Sequence, residues 1–173
     1  MVGTDAGWPA DVEFVEYVRA RQHTLLRAAY LVCGDVGLAE DLVRRALTRL
    51  ARHWERVREE APDVYVRGIL YRDAVASWGG RRPEAVAPVP DELLDRWDAD
   101  EVERRREVLA ALDTLTPRQR ATIELRWFDE RSERDTAEIL GCSPGTVRSE
   151  AHDGLAALRT ALPRVEIGTE GSW

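Results

Sequence analysis

The sequence predicts an all-α chain of two small helical domains joined by an acidic linker, and three observations carry that expectation. Apolar residues recur at three- and four-residue steps in both halves of the chain, Ser, Thr, Asp, Pro and Gly stand where helices start and stop, and the composition changes abruptly between the halves. The 173 residues, 44% apolar and 33% charged, suffice for one domain or two small ones and lie far from the disordered class.

From Asp11 to Cys33, the residues Phe14, Val15, Val18, Leu25, Leu26, Ala29 and Tyr30 mark one amphipathic helix, with Asp11 as N-cap and Gly34 closing it. After the Gly34-Asp35 break, Ala39, Leu42, Val43, Ala46, Leu47, Leu50 and Trp54 form the stripe of a longer helix whose opposite face carries Arg44, Arg45, Arg49 and Arg52. Pro62 suits the first turn of a third helix, with Val66, Ile69, Leu70 and Val75 inward and an end near Trp78, before Gly79-Gly80. These helices make a first domain at 8–82.

Three prolines (Pro83, Pro88, Pro90) and a run of acids then mark a linker at 83–102. Residues 83–107 hold four arginines against nine carboxylates, a net of -5, whereas residues 8–82 hold thirteen against eleven, a net of +2. Self-repelling charge of this kind makes a solvated spacer. The period returns from Glu103 through Val108, Leu109, Leu112 and Leu115. Thr116-Pro117-Arg118-Gln119 then offers a cap, a proline at the first helical position and a Gln three residues past the cap. That helix carries Ile123, Leu125 and Trp127 or Phe128; Ser132 caps Glu133 to Leu140, and Ser143-Pro144 starts a last helix reaching about Leu162. The second domain spans 103–162, and the tail at 163–173 is expected to be loose.

All 25 basic residues are arginine, and against 32 carboxylates they leave a net charge of -7, which excludes a uniformly basic nucleic-acid coat. Contact with DNA would run through local arginine clusters, because phosphates need cations only at the footprint. Cys33 and Cys142 form neither a zinc set nor a disulfide framework, nothing reads as a secretory leader, and no apolar run is long enough to cross a bilayer, so a reduced cytoplasmic chain without membrane insertion is expected. Cys142 reads as a small inward thiol. His23, His53 and His152 stand isolated and there is no Gly-rich phosphate loop, so no enzyme activity, catalytic residue, cofactor or metal is expected.

The sharpest local signal lies around Gly141. Ala137 is small enough for two helices to approach, Gly141 supplies a turn with positive φ, and Val147 fills the angle between them, the steric pattern of a helix-turn-helix. Leu140, Ala151, Leu155 and Leu158 complete its buried side. Ser143, Arg148, Ser149 and His152 then face outward, where they can reach base edges or phosphates in a major groove.

The strings Asp35-Val36-Gly37-Leu38-Ala39-Glu40-Asp41-Leu42-Val43, Leu115-Thr116-Pro117-Arg118-Gln119-Arg120 and Ala137 to Ser149 together resemble the extracytoplasmic-function (ECF) sigma factors of high-GC actinobacteria, over about residues 11 to 162. The resemblance implies a three-helix sigma-2-like domain, a helix-turn-helix sigma-4-like domain, and the role of an alternative sigma factor that binds core RNA polymerase and directs promoter recognition. It further implies that Glu40, Asp41, Arg44, Arg45 and Arg49 dock on the polymerase clamp. The segment with Arg67, Arg72, Trp78, Arg81 and Arg82 would capture the melted minus-ten strand, with Tyr71 and Trp78 as stacking surfaces or core. The last helix would enter the minus-thirty-five groove. Bacterial core RNA polymerase, promoter DNA and an anti-sigma factor or other regulatory protein are the implied partners.

The chain departs from that pattern at three places. Arg44 and Arg45 stand where a Gln and an acid usually follow Leu-Val, Gly79-Gly80 thins the basic-aromatic run, and Glu150 and Asp153 set carboxylates on the recognition helix. An acid beside phosphate repels, although it can also read cytosine. These departures motivate a second reading, a sigma-like regulator that has lost ordinary promoter binding, whose two helical domains pack together and act through a protein or small-effector partner.

Overall fold

The structure, a computed structural model, describes residues 12–77 and 107–163, so the expected linker at 83–102, the Asp11 cap and residues 164–173 of the tail lie outside the described residues. Helix α1 (Val12–Cys33) ends where the sequence places its stop: Gly34 takes φ 71°, and its N–H donates to Tyr30 O at 2.8 Å. Asp35 then caps α2 (Val36–Val57) by accepting from the Leu38 N–H at 2.7 Å. The expected stripe from Ala39 to Trp54 is buried, and at its end Trp54 meets Phe14 edge-on, with ring centroids 5.2 Å apart.

Helix α3 (Pro62–Ser77) crosses this pair and is pinned to it at both ends. Asp63 accepts from the Tyr17 hydroxyl at 2.7 Å and pairs with Arg21 at 3.2 Å, while Asp73 pairs with Arg49 at 3.3 Å. Val66, Ile69 and Leu70 face inward as expected, and Val75 is half-buried. Yet Arg67, Gly68, Tyr71 and Ala74 are buried as well, so α3 is covered on more than one side. A helix so covered lies between two layers.

The second layer is built by a helical segment at 107–112, α4 (Pro117–Ile123), a π-helical turn (Glu124–Phe128), α5 (Glu133–Leu140) and α6 (Pro144–Ala161). Thr116 and Gln119 form the expected reciprocal capping box, and Ser132 and Ser143 cap α5 and α6. In the wide turn the Asp129 N–H donates to Glu124 O at 3.0 Å, which stacks one acidic residue over the other; Glu130, at φ 51°, then reverses the chain into α5. Trp127 is the half-buried aromatic of this turn, while Phe128 is 55% exposed.

One core gathers Ala111, Leu112, Leu115, Ile123, Leu155 and Leu158. Ala121, Leu125, Ile139 and Leu140 point the other way and join the core of α1–α3. Helix α3 lies against α5 and α4, and α1 against α4. Instead of two separate bodies, the described residues form two helical units closed on each other.

Candidate functional site

The helix-turn-helix is built as the spacing requires. Ala137 and Val147 are buried, and Gly141 adopts φ 65°, ψ 42°, a left-handed position that costs a Cβ-bearing residue. The N–H groups of Gly141 and Cys142 donate to Glu138 O at 3.3 Å and Ala137 O at 3.0 Å, closing α5. Ser143 Oγ accepts from the Thr146 N–H at 3.1 Å and starts α6. Cys142 is half-buried and packs on the α1–α3 core.

This construction leaves Ser143 exposed at the cap and Arg148, Ser149, His152 and Asp153 exposed along one side of α6, whereas Glu150 and Ala151 are half-buried. Arg148 Nη2 lies 2.9 Å from Glu133 Oε2 on the first turn of α5. That hydrogen bond holds the Arg148 guanidinium above its ordinary pKa and the Glu133 carboxyl below its own. No spacing rule pointed to Glu133, because the pair joins the two helices across their turn.

Glu40, Asp41, Arg44, Arg45 and Arg49 are all exposed on α2, Arg44 pairing with Asp41 at 3.1 Å and Arg49 with Asp73. Glu40, Arg44 and His23 rim a groove of about 410 Å³ between α1 and α2 whose floor includes Val18, Val43 and Leu47. The face is therefore mixed in charge with an apolar floor.

Of the strand-capture candidates, Arg67, Tyr71 and Arg72 fall among the described residues. Trp78, Arg81 and Arg82 lie outside the described residues. Arg72 is exposed; its Nε donates to Gly68 O at 2.7 Å and its Cδ lies 3.7 Å from where a Cβ on Gly141 would stand. Arg67 is buried, with Nη1 2.7 Å from Asp129 Oδ2 and 3.4 Å from the Tyr71 hydroxyl. Tyr71, fully buried, donates to Glu124, so neither side chain faces solvent in this arrangement. Burial pushes the Tyr71 phenol well above its ordinary pKa, with Glu124 adding to it. Burial alone would lower Arg67, but Tyr71, Asp129 and Glu124 outweigh it and raise its pKa. Glu124 is pushed up to about 7, chiefly by burial. Glu124 and Asp129 escaped the sequence reading because their partners sit in the other half of the chain.

Residues 105–158 match the family described as sigma-70, region 4. Over 155 residues the chain is 37% identical to an RNA polymerase sigma-E factor of Streptomyces coelicolor, a stretch that covers 87% of this chain and 86% of that protein. It is equally similar, with the same coverage, to the RNA polymerase sigma-E factor of Streptomyces avermitilis. Over a shorter 71 residues it is 42% identical to the ECF RNA polymerase sigma factor SigX of Bacillus subtilis, covering 41% of this chain and 34% of that one. The match runs through both helical units and favours the first of the two readings over a regulator without promoter binding. Identity of this extent over most of both chains, with the region 4 match lying on the helix-turn-helix unit, means that the chain belongs to the ECF family of RNA polymerase sigma factors, of actinobacterial type, and is an alternative sigma factor of transcription initiation.

Proposed function

We propose that initiation is divided between the two helical units, 8–82 and 103–162, with residues 83–102 as the connection that lets them separate. Glu40, Asp41, Arg44, Arg45 and Arg49 dock α2 on bacterial core RNA polymerase in the cytoplasm. Arg67 and Arg72, with Trp78, Arg81 and Arg82, take the melted minus-ten strand. Ser143, Arg148, Ser149 and His152 read the minus-thirty-five groove. The groove between α1 and α2 is the natural seat for an anti-sigma factor or other regulatory protein, since an apolar floor with a mixed-charge rim suits a protein side chain.

The α6 face carries this reading. Three polar residues, Arg148, Ser149 and His152, share one side of an 18-residue helix, free of the core and next to the Ser143 cap and the turn that holds the helix at a fixed angle. Asp153 shares that side, so the expected site includes a cytosine, whose exocyclic amine an acid can accept from. Reconstitution with purified core polymerase and a library of promoter fragments tests the assignment. Promoter-dependent transcripts that vanish in Arg148→Ala and change preference in Asp153→Ala are expected; failure to associate with core polymerase overturns it.

A further inference from the structure

The seam between the two units is polar at its centre. Arg67 is 3% exposed and pairs with Asp129, which Arg131 Nε also approaches to 3.4 Å. Tyr71, one turn along α3, donates to the buried carboxyl of Glu124, and Arg67 Nη1 lies against the same hydroxyl. Around this network Leu125, Ile139 and Leu140 complete an apolar contact with α1–α3. Gly68 faces Ile139 O across the seam: a Cβ there would stand 3.5 Å from that oxygen, an ordinary contact, and 2.8 Å from Arg72 Nη2 of its own helix.

Such a seam is poorly suited to permanent closure. Arg67 Nε is buried without a hydrogen-bond partner, and a buried ion pair commonly contributes no more than an apolar replacement of the same volume would, because both charges have left water. On opening, every group in the network regains hydration. The polar centre therefore adds little to closure, which the surrounding apolar contact carries.

The geometry points to an intramolecular latch, in which Arg67 and Tyr71 of α3 close on Glu124 and Asp129 and hold the free chain shut with that side of α3 covered. The consequence for initiation rests on the reading that Arg67 meets the melted strand; the closure itself does not. A partner that needs α3 exposed binds only the open fraction, so its apparent affinity falls in proportion to that fraction.

Arginine-directed modification of the full chain with phenylglyoxal at about pH 6, below the range in which Glu124 loses its proton, read by mass spectrometry, tests the latch, with exposed Arg44 and Arg45 as internal references. In the native chain Arg67 reacts at least about tenfold more slowly than Arg44, as expected for a group taken out of solvent. Two variants open the seam by different routes, the double substitution Tyr71→Phe with Asp129→Asn and the steric wedge Gly68→Leu. In both, Arg67 reactivity approaches that of Arg44 and small-angle scattering gives a larger radius of gyration, while far-UV circular dichroism keeps its helical intensity. Rapid modification of Arg67 in the native chain, or unchanged protection and radius in both variants, overturns the latch. Anisotropy with a labelled 20-nucleotide oligothymidine separates the two ideas: opened variants that bind it about tenfold more tightly support both, and opened variants with native affinity keep the latch but remove Arg67 from strand capture.

Discussion

Arg148 projects from α6 with 72% of its side chain exposed, yet it is held by Glu133. The pair fixes a guanidinium whose planar fork is the group best matched to guanine or to phosphate. Removing it is expected to lower duplex binding by roughly ten- to a hundredfold, the scale of one good base contact. Glu133→Gln separates two roles. If Glu133 orients Arg148, its loss relaxes base preference while the change in overall affinity stays small; if it merely competes with DNA, affinity rises uniformly across sequences. Binding selections from a randomised duplex pool, run on both variants, distinguish these outcomes. Preference and affinity both unchanged in Arg148→Ala would exclude the residue from the interface.

The turn between α5 and α6 transmits core packing to that exposed face, so its cost is a property of the element. Gly141→Ala forces a Cβ into a left-handed position and is expected to destabilise the chain by about 1–2 kcal/mol. Ser143→Ala removes the cap of α6 and costs about 1 kcal/mol. Denaturant midpoints with unchanged slope would register both losses, and a neutral Gly141→Ala would contradict the observed backbone. These devices were legible in the sequence because each is local: Ser132, Ser143, Thr116 with Gln119, Gly34 and Gly141 act within five residues of themselves. The π-helical turn was not legible, since five residues of i→i+5 winding leave no apolar period, and whether Trp127 or Phe128 turned inward depended on it. Nor was the second buried side of α3. The sequence leaves Tyr71 as a stacking surface or core and reads Arg67 as a strand contact, and only partners from the far half of the chain make Arg67 interior beside Tyr71. The α6 face was read correctly as exposed for the same reason the caps were, whereas the burial of Arg67 is a long-range fact.

At the scale of the molecule, closure couples to proton binding through Glu124. Its carboxyl faces Tyr71 and Arg67 of α3, Asp129 of its own turn and the charge of Arg27 on α1; burial dominates and moves its pKa from 4.5 to about 7. Opening returns the group to water, so the closed form holds this proton more tightly than the open one. The stabilisation that the proton lends to closure is complete below about pH 4.5 and is lost as the pH rises through about 7. Its full size is about 3 kcal/mol, on the order of a hundredfold in the opening equilibrium. Across pH 5 to 8.5, the radius of gyration of the native chain is therefore expected to increase, with its midpoint near 7. Glu124→Gln keeps an amide oxygen to accept from Tyr71 but cannot ionise, so that variant stays compact over the whole range. Equal pH dependence in both proteins would assign the transition to another group and sever the link between Glu124 and the seam. A pH-driven expansion confined to the native chain would mean that an alkaline shift alone uncovers the side of α3 that carries Arg67 and Tyr71.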